Sequence, residues 1–280
     1  MIKTKTIGIG ILISISIMVT TYFINETNNE DSEYNSEIIE LNWKNSLFKI
    51  LVNERDLVLV NGKTVPLKAD FALDEQFQGV YDKVGVYNLE EKPAVIIPTF
   101  TSSAYGESGF YDFYQGRCDE SCLTTKILTN NFDFSSSANA IQILDLLGYE
   151  MVFDEQIDKD PNILEKYDKI ILLHNEYVTK KMFDAITSHP NVIYLYPNAL
   201  HAEISTDYEL ETISLVRGHG YPEGVDNGFE WEYDNTRPYE FDTKCNNWEF
   251  YSIPNGKMLN CYPEQIIWKD ENLLNEIKNQ

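Results

Sequence analysis

Short apolar runs set the frame of this chain. Ala94-Val95-Ile96-Ile97, Lys169-Ile170-Ile171-Leu172-Leu173 and Val192-Ile193-Tyr194-Leu195-Tyr196 read as strands buried on both faces. Tyr149-Glu150-Met151-Val152-Phe153 reads as a further strand. Between them lie segments of helical periodicity. Residues 136–147 place Ala140, Ile141, Leu144 and Leu147 on one face, with Gly148 as the residue that ends the helix. Residues 179–188 form a second helix, with Thr179 as its cap. Strands alternating with short helices specify an α/β fold with a parallel sheet flanked by helices. Ligands of such sheets bind beyond the carboxyl ends of the strands.

The rest of the chain divides around that pattern. Residues 38–92 read as a small, mostly β segment. In it Leu57-Val58-Leu59-Val60 and Lys63-Thr64-Val65 flank an Asn61-Gly62 hairpin turn. Residues 93–280 form the α/β domain, irregular and acidic after Glu203. Within that part Phe229-Glu230-Trp231-Glu232-Tyr233 alternates as a strand would, and residues 266–278 have the spacing of a terminal helix. No internal repeat is present.

The N-terminus sets the expected compartment. Lys3 and Lys5 precede an apolar run over residues 7–24, about 27 Å long as a helix at about 1.5 Å per residue. That length just crosses a hydrocarbon core of about 30 Å. The basic flank lies before the run and Glu26, Glu30, Asp31 and Glu33 follow it, so the body is expected outside the cytoplasm, behind a cytoplasmic tip and anchor at 1–24. A cleaved signal peptide is the competing reading, although Thr21-Tyr22-Phe23-Ile24 is bulky where a small-residue cleavage site belongs. Residues 25–37 form a polar tether.

Four cysteines suit an oxidising compartment. Cys118 and Cys122 are spaced for a bridge across a helical turn, which leaves Cys245 with Cys261 across the Ile253-Pro254-Asn255-Gly256 turn. A four-cysteine zinc site is the rival, but the second pair is too widely spaced for a zinc knuckle. The formal charge is −23, from 22 basic and 45 acidic residues. Such a chain repels phosphate backbones, which excludes nucleic acid as a partner class.

The candidate chemistry gathers at strand ends. The run Ile170-Ile171-Leu172-Leu173 leads into His174-Asn175-Glu176-Tyr177-Val178-Thr179. His174 and Glu176 are placed there for metal ligation or acid–base work. The plainer alternative is a strand-capping histidine and a glutamate at a helix N-terminus. Pro98 to Tyr114 follows the first buried strand and offers Tyr105. Tyr196-Pro197-Asn198-Ala199-Leu200-His201 follows the third and offers Asn198. His219 and Glu223 either reach the same rim or sit on a surface turn. Neither a nucleophile elbow nor a P-loop is present.

From about residue 93 to 204 the chain resembles the C-terminal domain of the large subunit of N,N-dimethylformamidase. The matching segments are Pro98-Thr99-Phe100-Thr101, Ala104-Tyr105-Gly106, Leu147-Gly148-Tyr149, His174-Asn175-Glu176-Tyr177-Val178-Thr179 and Pro197-Asn198-Ala199-Leu200. The resemblance implies a glutamine amidotransferase-like or flavodoxin-like sheet. It also implies a mononuclear iron held by Tyr105 and Glu176, with His174 and Asn198 in catalytic roles. The function it implies is hydrolysis of a C–N bond in a small molecule. The family's second tyrosine lies in a stretch where Phe132-Asp133-Phe134-Ser135-Ser136 stands here, without a tyrosine. A non-catalytic sensor or envelope protein that keeps the fold without the metal is therefore the alternative expectation.

Overall fold

The fold comes from a computed structural model, which describes residues 3–4, 37–60, 62–128 and 136–280. The expected anchor at 7–24, most of the tether and the Phe132–Ser135 stretch lie outside the described residues. Among the described residues no helix is long and apolar enough to cross a membrane. The chain divides into two compact units, residues 1–78 and 79–280.

In the first unit, β1 (Ile38–Leu41) pairs antiparallel with β2 (Lys49–Asn53), and Lys3–Thr4 runs parallel beside β1. β3 (Leu57–Val60) and β4 (Lys63–Pro66) form the expected hairpin, with Val60 opposite Lys63. β5 (Asp70–Ala72) closes on β2. Alternation explains the ladder: Ile50 and Val52 point inward from β2 while their neighbours are half-exposed.

The second unit opens with α1 (Gln78–Val84), which buries Tyr81 and Val84. Its main sheet is built from β6 (Pro93–Ile97), β8 (Glu150–Phe153), β9 (Lys169–Leu172), β11 (Val192–Tyr194), β14 (Phe250–Ile253) and β15 (Gly256–Leu259). A smaller sheet holds β7 (Thr124–Lys126), β10 (Tyr177–Thr179), β12 (Ala202–Asp207) and β13 (Thr212–Arg217). The order across the main sheet is β14-β15-β11-β9-β6-β8. All its neighbours are parallel except β14 and β15. The five parallel strands, counted along the chain, therefore lie in the order 2-1-3-4-5. β6, β9 and β11 are buried throughout, which accounts for their unbroken apolar runs.

The connecting helices are short. α2 (Thr99–Ala104) and α3 (Phe110–Tyr114) occupy the segment expected as loop after β6. α4 (Ala138–Leu146) runs up to Gly148, whose φ of +89° takes the left-handed conformation expected of it. α5 (Asp154–Lys159) follows β8. α6 (Lys180–Ser188) is capped by Thr179, whose hydroxyl accepts the Met182 N–H at 3.3 Å. α7 (Thr236–Tyr239) is one turn, and α8 (Glu271–Asn279) buries Leu273, Leu274 and Ile277.

Two expectations change. Residues 229–233 form no strand: Phe229 stacks on Phe183 at 4.1 Å, and Asn227 Oδ1 accepts the Phe229 and Trp231 N–H groups, so side-chain chemistry replaces a ladder. The terminal helix begins at Glu271 rather than 266, because Asp270 caps it through the Leu273 N–H at 3.0 Å. The last hairpin turns on Pro254-Asn255, with Ile253 opposite Gly256, within the expected turn. Gly256 belongs to β15, where a Cβ would lie 1.9 Å from the Val192 carbonyl oxygen. Both expected disulfides form, with Cα–Cα distances of 6.1 Å for Cys118–Cys122 and 5.3 Å for Cys245–Cys261.

Candidate functional site

The strand order reverses between β6 and β9, and a crevice at the carboxyl ends of such a pair is where an open α/β sheet binds ligands. The segment Leu173 to Glu176 leaves β9 at that point. Asn175 pins its bend. The Asn175 side chain accepts the Leu173 N–H and donates to Asp154 Oδ1, both at 2.9 Å, and Asp154 Oδ2 accepts the Phe100 N–H at 3.0 Å. The Tyr177 N–H donates to Thr101 Oγ1 at 3.1 Å. One direct bond and a bridge through Asp154 thus tie the Glu176 segment to α2, and Tyr105 sits immediately after α2. The Glu176 carbonyl accepts the His201 and Ala202 N–H groups at 3.0 and 2.9 Å, which ties the same segment to the chain beyond β11.

Tyr105 and Glu176 are brought together. The Tyr105 hydroxyl donates to Glu176 Oε2 at 2.8 Å. Tyr111, on α3, donates to the Tyr105 oxygen at 2.6 Å and lies 3.5 Å from Glu176 Oε1. His174 Nε2 lies 3.4 Å from Oε2, and His219 Nε2 meets Oε1. Glu176 is fully buried and the His174 side chain is only 4% exposed, whereas that of His219 is 22% exposed at the rim. Asn198 takes a left-handed φ of +68° at the next strand end. Its side chain reaches Glu240 Oε1 at 3.4 Å rather than Glu176. Among the described residues the buried Asn198 Oδ1 atom has no hydrogen-bond partner.

The electrostatics follow from this crowding. Burial pushes the Glu176 carboxyl up, but the charge and hydrogen bond of His219, with His174 and His201 behind it, win and hold it at about 2. Glu176 is therefore an ionised group in the interior. The Tyr105 and Tyr111 hydroxyls are pushed well above the usual phenol range by burial and by the Glu176 charge. Burial also lowers His174 against the pull of Glu176.

Sequence patterns alone left several of these groups unassigned. Tyr111 carries a helix-face signal only once Phe110 to Tyr114 is known to be a helix, and His219 depends on the fold of its loop. Gly218, His219 and Gly220 all have positive φ, and a Cβ on Gly218 would lie 2.7 Å from the Ala202 Cβ. Glu223 is exposed on this loop. Among the described residues no set of three or more His, Cys, Asp and Glu side chains is arranged to hold a metal ion; the donors that converge here include two phenols.

No protein-family model matches the chain, and no curated protein matches it.

Proposed function

We infer that the crevice between β6 and β9 is the site of a metal-assisted hydrolase acting on a C–N bond of a small amide. The carrying observation is the meeting of two phenol oxygens and one ionised carboxylate, those of Tyr105, Tyr111 and Glu176, in a buried place. The donor set fits a hard, highly charged cation such as iron. Tyr111, from a different segment, would supply the second tyrosine that the resemblance to the N,N-dimethylformamidase domain lacks at residues 132–136. The 2-1-3-4-5 strand order agrees with the glutamine amidotransferase-like or flavodoxin-like sheet that the same resemblance implies.

Tyr105, Tyr111 and Glu176 would hold the metal. Once bound, it supplies Lewis acidity and lowers the phenol pKa values that burial has raised. His174 holds or accepts a proton at Nε2, facing Glu176. Asn198 presents an unpaired buried carbonyl oxygen, suited to accept a substrate amide N–H. The rings of Tyr114, Tyr177 and Tyr262 line the site around His174 and His219.

Elemental analysis and a visible spectrum of the oxidised full chain test this reading. It expects about one iron per chain and a tyrosinate-to-iron band lost in Tyr105→Phe, Tyr111→Phe and Glu176→Ala. A folded chain that stays colourless and metal-free after iron reconstitution overturns it. One observation favours a second reading, a non-catalytic binding or envelope module: both Glu176 oxygens have protein partners.

The same proposal puts the body outside the cytoplasm, behind a membrane anchor at residues 7–24. The two disulfides support an oxidising compartment. A membrane crossing between Thr4 and Ile39 would separate two segments that pair. Protease digestion of intact cells distinguishes the cases: a protected N-terminus supports the anchor, and a digested one removes it.

A further inference from the structure

Behind His219 stands a second buried histidine with its own carboxylate. His201 is 4% exposed at its side chain, and its Nδ1 lies 3.0 Å from Asp234 Oδ2. Its ring packs against that of His219 with centroids 4.4 Å apart. Asp234 is itself fixed: Asn227 Nδ2 donates to Oδ2 at 3.1 Å, and the Thr236 N–H and hydroxyl donate to Oδ1 at 3.0 and 2.5 Å. The main chain of the same segment holds the His219 loop. The His219 N–H donates to the Asp226 carbonyl at 2.8 Å, and the Gly228 N–H donates to the His201 carbonyl at 2.7 Å.

We propose that Asp234 and His201 are a positioning pair that fixes the ring of His219 against Glu176. The reasoning is geometric. His219 is the more exposed of the two imidazoles on Glu176, and it rides on a left-handed Gly-His-Gly turn without a helix or strand to set its rotamer. Tyr114 and Tyr177 pack on this ring with centroids 5.5 and 5.4 Å away, and among the described residues neither is hydrogen-bonded to a carboxylate that would fix its own tilt against it. His201 is the nearest ring to it, at 4.4 Å, and the Asp234 carboxylate takes the His201 Nδ1–H, which fixes that ring's tautomer and tilt. The residue before the β12 strand thereby does two jobs: its N–H binds the Glu176 carbonyl, and its ring backs the imidazole on the Glu176 carboxylate. The proposal rests on Glu176 as the centre of the site and not on metal occupancy.

The chain has four histidines, so ring NMR of the metal-free, 15N-histidine-labelled full chain resolves each one. His189, whose ring nitrogens meet the Tyr167 and Asn191 carbonyls away from the site, is the internal reference. In the wild type His219 shows one fixed tautomer. In Asp234→Asn the hydrogen-bonded His201 ring proton is lost and the His219 ring nitrogens shift toward a tautomer average, while His189 stays in place. His201→Phe keeps the packing shape, deletes both nitrogens and produces the same His219 shift, and it decides alone if Asp234→Asn does not fold. Unmoved His219 signals in the folded variants overturn the proposal, and so does equal movement of His189. Iron affinity on the same variants is expected to fall about 10–100-fold. If the wild type binds no iron, the hydrolase reading fails while the ring signals still decide this one.

Discussion

Two buried glutamates of this molecule meet opposite fates. Glu176, at the end of β9, is held near a pKa of about 2; Glu264, before α8, is pushed up to about 8. Burial raises both. At Glu176 three imidazoles outweigh it. Glu264 has no histidine: Oε2 takes the Tyr196 hydroxyl, and Oε1 takes the Asn139 N–H at 2.8 Å near the start of α4. These hydrogen bonds pull its pKa down less than burial lifts it. Asp154 behaves like Glu264, raised to about 8 by burial against the bonds from Phe100 and Asn175. The contrast separates a carboxyl kept charged among imidazoles from carboxyls that cap and brace the fold as neutral acids.

The sharpest way to break the comparison is Glu176→Ala. It strips the central partner from the buried His174, from His219 at the rim and from two phenols, and is expected to cost about 3–5 kcal/mol in urea unfolding. A cost below 1 kcal/mol would show that the network is not a structural centre. Next comes Cys245→Ser with Cys261→Ser. This bridge closes a 16-residue separation and anchors Tyr262, whose ring packs edge-on to His174 with centroids 5.8 Å apart and whose hydroxyl donates to the Ser136 carbonyl at 2.7 Å. Its removal is expected to cost about 3 kcal/mol; loss of the Cys118–Cys122 pair, four residues apart, is expected to cost less by the same measurement.

The pH dependence of unfolding sharpens the comparison further. Glu264 has a raised folded pKa, so its contribution is present in full below the unfolded value near 4.5 and is lost as pH rises through about 8. Glu176 has a lowered folded pKa, so its contribution is present above about 4.5 and is lost as pH falls through about 2. Glu264→Gln should flatten the fall in stability between pH 5 and 8, and Asp154→Asn should flatten it further. An unchanged slope in both would remove the neutral-acid description. Asp270→Ala, outside both networks, is the smallest change. It deletes the α8 cap and is expected to cost about 1 kcal/mol.

Much of the second unit was legible in its sequence. The short apolar runs with no polar alternation became strands buried on both faces, and Thr179 and Gly148 marked real helix ends. The rim was legible too, since Tyr105, His174, Glu176 and Asn198 all follow such strands. What failed to show were groups whose meaning depends on distant chain. Tyr111 resembles any tyrosine in an aromatic loop. His219 resembles a surface turn until Asp226 and Ala202 fix its backbone, and Asp234 lies 33 residues from the histidine it holds. Asn198 followed its strand as expected, yet its side chain turned to Glu240.

The sequence by itself determined the parallel strands, their helices and which loops share one edge, because periodicity and burial act over a few neighbouring residues. Only the tertiary structure decided which of those loops touch, which carboxylate stays ionised and which imidazole guards it. Those outcomes depend on desolvation and on charges a few ångströms away, and both are set by residues tens to more than a hundred positions apart in the chain.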